Sequence, residues 1–365
     1  MEDPKFEVVK IGPSYYRKLI IPADLKFKCE VQSTALWEEE EEEPERELDD
    51  QMVYEGQEWA LKLPIPAVFH KFIVGSRARN KQKIEMESGA RVTVPHREDN
   101  EDCIWLHARQ KQAIYSAKAQ IELLCEKEEQ KLEYTHFLSV PLAQDAKLRQ
   151  KVDGFREDVV LQRFDGIDAS IFMPSRRLHM TLCMLKLHSH AQVEEMKAAM
   201  AELAVQLPTM AEYSRPLHAS LSGLHIMTDD PTNVGVVFTT DRSTALQHRM
   251  NSMADMIFAV LKQRSLVTHP NLMAQRLLSS DGQHSEVKLH ATLMNTKYSR
   301  VDWRDGGSSG ERKNFDASSL LEKFGQVDFG TVAMKEIQLS CLDEMGDDGY
   351  YRSLYAVPIC DPKSF

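Results

Sequence analysis

Two hexapeptides 111 residues apart constrain this 365-residue chain more than any other feature of it. Arg177-Leu178-His179-Met180-Thr181-Leu182 returns as Lys288-Leu289-His290-Ala291-Thr292-Leu293. Chance recurrence of so specific a string is improbable. Each copy alternates as an extended strand does, so its side chains divide between two faces. Leu178, Met180, Leu182 and Met184 share one face, as do Leu289, Ala291 and Leu293, and both faces are expected to pack on helices. His179 and Thr181, with His290 and Thr292, take the opposite face, together with Arg177 and Lys288. Two such strands related by an approximate two-fold gather two imidazoles, two hydroxyls and two cations around one cleft.

That set of groups suits displacement at phosphorus. Imidazoles titrate near neutrality, so a neutral histidine can remove a proton from an attacking hydroxyl or water while a protonated one supplies the leaving oxygen. The threonine hydroxyls can donate to non-bridging oxygens as charge develops, and Arg177 and Lys288 raise the local concentration of phosphate. No carboxylate or cysteine cluster of ligand type stands beside the histidines, so neither a metal nor any other cofactor is expected. The pair H-x-T... H-x-T resembles the 2H phosphoesterase superfamily, which includes RNA 2′,3′-cyclic phosphodiesterases, 2′-5′ RNA ligase-like proteins and nuclease relatives. The resemblance covers most of residues 134–365 and implies a pseudo-two-fold, bilobal domain. Two functions stay open on it. One is a metal-independent phosphodiesterase acting on RNA or a nucleotide; the other is a non-catalytic adaptor that holds an RNA end or nucleotide in the same cleft.

Ahead of that unit, residues 53–130 read as β-α-α-β-β-α, the order of one small α+β domain. Within it, Gly75 ends one helix, and Ser76 and Arg77 make a turn before the next. N–H groups free at that helix start, with Arg77, Arg79, Lys81 and Lys83 around them, form a phosphate-binding surface. Residues 70–91 carry net charge +4 inside an acidic protein. The string Ile73-Val74-Gly75-Ser76-Arg77-Ala78-Arg79, with Ile84 following, resembles the KH domain of RNA-binding proteins, whose signature is an apolar pair, G-x-x-G and an apolar residue on the second helix. The family clamps about four nucleotides of single strand at that loop. The resemblance implies single-stranded RNA, with DNA as the alternative, at Lys71, Gly75, Ser76, Arg77, Ala78, Arg79 and Lys81. Ala78 stands where the family has its second glycine, which bears on binding if the position requires positive φ.

Charge divides the rest. Of the net charge of −11, residues 1–50 account for −8. Residues 33–52, centred on Glu38–Glu43 and Pro44, are expected to form an acidic disordered linker. Residues 1–32 are expected to be a partner-docking segment carrying Tyr15, Tyr16, Arg17 and Lys18, and residues 131–365 form the 2H-like unit. No apolar run is long enough to span a bilayer, and six cysteines without CxxC or metal-ligand spacing suit a reducing compartment. The order docking segment, acidic linker, KH, 2H resembles that of nuclear complex subunits. This resemblance implies a nuclear protein, with cytoplasm as the alternative, whose partners include a helicase and which serves transcription coactivation and alkylation-damage repair.

Overall fold

A computed structural model describes residues 6–11, 14–19, 51–96, 99, 101–211, 213–299, 314–361 and 363. The chain divides into two compact units, Met1–Gln130 and Lys131–Phe365. Residues 33–50 of the expected linker, and a Gly/Ser-rich loop at 305–310, lie outside the described residues. Met52, at the end of the segment read as linker, is buried. At the N-terminus β1 (Phe6–Ile11) pairs antiparallel with β2 (Ser14–Leu19), and Tyr15, Tyr16, Arg17 and Lys18 sit in β2 opposite Lys10, Val9, Val8 and Glu7. The side chains of this hairpin are outside what is described, so the docking role assigned to those four residues lies there too.

The first unit continues with β3 (Val53–Glu55), β4 (Glu58–Leu63), α1 (His70–Val74), α2 (Arg79–Ser88), β5 (Arg91–Thr93), β6 (Ile104–Ala108) and α3 (Lys111–Glu129). Its sheet runs β3-β4-β6-β5, antiparallel throughout. Alternation fixes the faces: Ile104, Leu106 and Ala108 of β6 are buried while Trp105 and His107 are half-buried. α3 lays Ile114, Ala117 and Ile121 on the sheet at helical spacing. β3 is an addition to the expected order, a short edge strand turned back on β4 by Gly56 and Gln57, both at positive φ.

In the second unit β7 (His136–Pro141), α4 (Ala146–Gln162), β8 (His179–Leu185) and α5 (His190–Gln206) are followed by β9 (His218–Ile226), β10 (Val236–Thr240) and α6 (Thr244–Gln263). Then come α7 (His269–Ala274), β11 (Ala291–Asn295), α8 (Ser318–Phe324), β12 (Asp328–Ala333), β13 (Glu336–Met345) and β14 (Tyr351–Pro358). One eight-stranded sheet runs β12-β9-β10-β11-β8-β7-β13-β14. It is antiparallel at every junction. Its midpoint lies between β11 and β8, the two strands that carry the repeat, with four strands on either side. Outward from that midpoint β8 and β7 match β11 and β10, each pair being joined by a long helix, α4 or α6. The last two strands return to complete the first half.

The fold is therefore α+β throughout, with a bilobal second unit. Its core faces the helices: Leu178, Met180, Leu182, Leu289, Ala291 and Leu293 are all buried there. Met184 departs from that expectation. A bulge in β8 sets Ser139 opposite Thr181 but Leu138 opposite Cys183, leaving Leu182 as the extra residue and reversing the alternation beyond it. Cys183 enters the core, while Met184 packs instead with Phe137, Ala143, Tyr350 and Tyr351. Among the described residues no helix is long and apolar enough to cross a membrane.

Candidate functional site

The two repeats meet at one pair of residues. β8 and β11 touch at Ala291 opposite Met180, the middle residues of the two H-x-T triplets. Antiparallel register about that point sets each histidine across from the other triplet's threonine, with all four side chains on one face. Both histidines are anchored alike. His179 Nδ1 lies 2.6 Å from the Arg177 carbonyl and His290 Nδ1 lies 2.7 Å from the Lys288 carbonyl. A carbonyl only accepts, so each Nδ1 carries the proton and each Nε2 is left unprotonated, directed away from the anchor. Neither threonine hydroxyl is engaged by a hydrogen bond among the described residues, so both remain available to a ligand.

Aromatic side chains complete each wall. Phe137 of β7 lies 5.1 Å from the His179 ring, and Phe238 of β10 lies 5.5 Å from the His290 ring, repeating the pseudo-symmetry. Tyr350 and Tyr351 add edge contacts to His179 at 6.3 and 5.5 Å. Burial pushes His179 down to about 4, against a smaller upward pull from its bond to the Arg177 carbonyl and with further lowering from His290 nearby. His290 is also lowered, by burial and then by the Lys288 charge, with its own carbonyl bond opposing. Burial thus favours the neutral form of both imidazoles. Tyr351 is pushed up to about 12 by burial, so its ring beside His179 stays uncharged.

Arg177 precedes β8, ending a single turn at Ser175–Arg177, and its guanidinium lies 5.8 Å over the Tyr351 ring. Lys288 precedes β11, is exposed, and borders a cavity of about 1150 Å³ that also exposes Thr181 and His290. That cavity exists because the strands separate on one side only. On the other side Met173 donates to the Leu293 carbonyl at 2.8 Å and Phe172 bridges Met294, closing the sheet. On the open side the Gln275 amide takes the place of a strand, accepting from Met184 N–H at 2.8 Å and donating to its carbonyl at 3.0 Å.

In the first unit the turn residues fall in the strained region. Gly75 has φ 68°, Arg77 φ 53° and Ala78 φ 59°. A Cβ on Gly75 would lie 2.8 Å from Asn80 Cγ, and Asn80 is fixed by donating to the Phe72 carbonyl at 2.8 Å, so glycine is required there. The position of Ala78 does demand positive φ, where alanine costs about 1 kcal/mol or more. Ala78→Gly is therefore expected to stabilise α2 by about 1 kcal/mol, read as slower amide hydrogen exchange along Arg79–Ser88 in the full chain. Unchanged exchange would mean the turn carries no strain. Around it, Lys81 pairs with Glu85 at 3.9 Å and the Lys71 ammonium lies 4.7 Å from the Phe72 ring, while Arg77 and Arg79 form no ion pair among the described residues.

Sequence reasoning missed Phe137, Phe238, Tyr350, Tyr351 and Gln275. Tyr350-Tyr351 follows the Gly346–Gly349 turn, and only the β7·β13 register carries that turn to His179. No group of three or more His, Cys, Asp or Glu side chains is gathered in metal-ligand fashion among the described residues.

Residues 60–123 match the KH domain, and residues 134–359 match the AKAP7 2′5′ RNA ligase-like domain. The mouse (Mus musculus) protein named Activating signal cointegrator 1 complex subunit 1 is 25% identical over 300 residues, covering 79% of this chain and 80% of that protein. Solved structures of E. coli LigT, in apo form and complexed with 3′-AMP, align at 14% identity with TM-scores of 0.36 and 0.35. They cover 62% of this chain and 98% and 97% of their own. With the match at 134–359 spanning more than half its length, this chain belongs to the AKAP7 2′5′ RNA ligase-like domain family and carries a KH domain ahead of that fold.

Proposed function

We propose that this chain is a nuclear RNA-binding protein that holds a single phosphodiester between His179 and His290 and cleaves it without a metal. The mirrored anchoring of the two imidazoles carries the reading. Each Nδ1–H is fixed by a carbonyl two residues back, which leaves each Nε2 free to exchange a proton, and the strands that carry the two histidines pair at Ala291·Met180. A bound diester brings negative charge beside imidazoles that burial has kept neutral, raising their pKa. One then takes up a proton and serves as acid while the other serves as base. Thr181 and Thr292 donate to the non-bridging oxygens, and Arg177 and Lys288 attract the strand. In the first unit, Lys71, Gly75, Ser76, Arg77, Ala78, Arg79 and Lys81 hold single-stranded RNA by its backbone.

The similarity to a named complex subunit supports a place in the activating signal cointegrator 1 complex, with its helicase among the partners and roles in transcription coactivation and alkylation-damage repair. The segment with Tyr15, Tyr16, Arg17 and Lys18 is the proposed dock. One observation favours a second reading, a non-catalytic adaptor gripping an RNA end: burial lowers both imidazoles, His179 to about 4, and so disfavours the protonated histidine that an acid requires. The two readings part on turnover. Under the catalytic one, cleavage of a 2′,3′-cyclic or oligonucleotide substrate proceeds unchanged in EDTA, since no step draws on a metal. Activity lost to chelation and restored by a divalent ion would overturn the two-histidine mechanism.

A further inference from the structure

The two lobes differ at one place. Beside His179 the flank is filled by Phe137, Tyr350 and Tyr351, all buried. The matching flank of His290 has Phe238, and beyond that ring the lobe opens into a pocket of about 460 Å³ lined by His225, Phe238, Thr240, Arg242, Gln247 and Lys288. The pocket adjoins the reactive site directly. Phe238 touches the His290 ring at 5.5 Å and the His225 ring at 5.6 Å, so one aromatic side chain is the wall between them.

Its lining carries two cations, Arg242 and Lys288. Arg242, exposed just past the end of β10, donates a long bond of 3.4 Å to His225 Nδ1. Arginine only donates, so that nitrogen must be the unprotonated one. His225 is lowered by burial and then by the Arg242 charge, against an upward pull from a bond to the Ser222 backbone, which favours the neutral ring that can accept from the guanidinium and position it. Lys288 supplies the second cation from the segment that also anchors His290. The nearest carboxylate in sequence, Asp241, is occupied in accepting from the N–H groups of Ser220 and Ser243. Neither Arg242 nor Lys288 forms an ion pair among the described residues. The Thr240 hydroxyl donates to the Leu289 carbonyl at 2.5 Å, tying this wall to the strand that carries the site.

We propose that this pocket is a second phosphate subsite, which takes the phosphodiester next to the one held between His179 and His290 and so favours strands of two or more linkages over mononucleotides. A guanidinium suits this because its planar fork matches two phosphate oxygens. The proposal rests on the phosphodiester reading of the H-x-T pair. The test titrates the full chain with two probes, a 2′,3′-cyclic mononucleotide and a trinucleotide ending in the same cyclic phosphate. Arg242→Ala is expected to leave the mononucleotide affinity unchanged, weaken the trinucleotide about tenfold, and lower its salt slope by about 0.7. Arg242→Lys, which keeps the charge, is expected to recover part of the loss, and His225→Asn to lose part of it. Equal loss for both probes, or no loss for the trinucleotide, would overturn the subsite. Failure of the wild-type chain to bind either probe would instead overturn the reading of the H-x-T pair on which it stands.

Discussion

Replacing either His179 or His290 by alanine is expected to lower turnover of a phosphodiester by about 100- to 10,000-fold, and replacing both is expected to cost little more. The reason lies in the geometry. Under the proposed mechanism one imidazole removes a proton and the other delivers one, so the rate has an acid and a base limb only while both are present. Their mirrored anchors, 2.6 and 2.7 Å from carbonyl to Nδ1, give the two rings the same tautomer and leave neither redundant. The rate profile is therefore expected to be bell-shaped against pH. Thr181→Ala and Thr292→Ala each remove one donor to developing charge and are expected to raise the barrier by about 3 kcal/mol. Losses that add, or a profile with a single limb, would separate the histidines into independent roles and contradict the shared site.

Stability is expected to fall with acid through the same residue. The folded chain holds His179 at about 4, below its ordinary 6.5. Between those values the unfolded chain binds more protons, so the contribution is complete above pH 6.5 and is lost as pH falls toward 4. The full loss is up to about 3 kcal/mol. His290, lowered in the same direction, adds to it. Carboxylates titrate in the lower part of this window, so the informative quantity is a difference. Denaturant midpoints measured from pH 7.5 to 4.5 should fall more steeply for the wild type than for His179→Gln. Parallel curves would mean that His179 is hydrated rather than enclosed by Phe137, Tyr350 and Tyr351.

The pairing of the two H-x-T strands was legible because His and Thr recur at strand alternation with apolar partners, and alternation alone assigns them a face. The order of the first unit was legible for a related reason: its helices and strands keep their periods, and the Gly75 turn is required by Asn80 close behind it. Contacts set by distant register were not legible. Nothing within β8 announces the bulge at Leu182, which depends on how β7 lies against it and which sent Met184 to the opposite face. Arg177 lies just before β8, in a turn that follows Pro174, so strand alternation does not by itself place its side chain. β3 was missed because it is only three residues long. Ala78 could be marked as an exception to a glycine pattern, but its left-handed backbone emerged only from the fold.

The central claim, that one phosphodiester sits between His179 and His290, is tested most directly by presenting defined oligonucleotides with 2′,3′-cyclic ends, 2′-5′ linkages and 3′-5′ linkages to the full chain. Turnover is measured for the wild type and for His179→Ala/His290→Ala. The account predicts that the wild type cleaves at least one of these ligands and that the double variant, folded to the same extent, cleaves none. Turnover that survives in the double variant, or a wild type that cleaves none of the three classes, would contradict it.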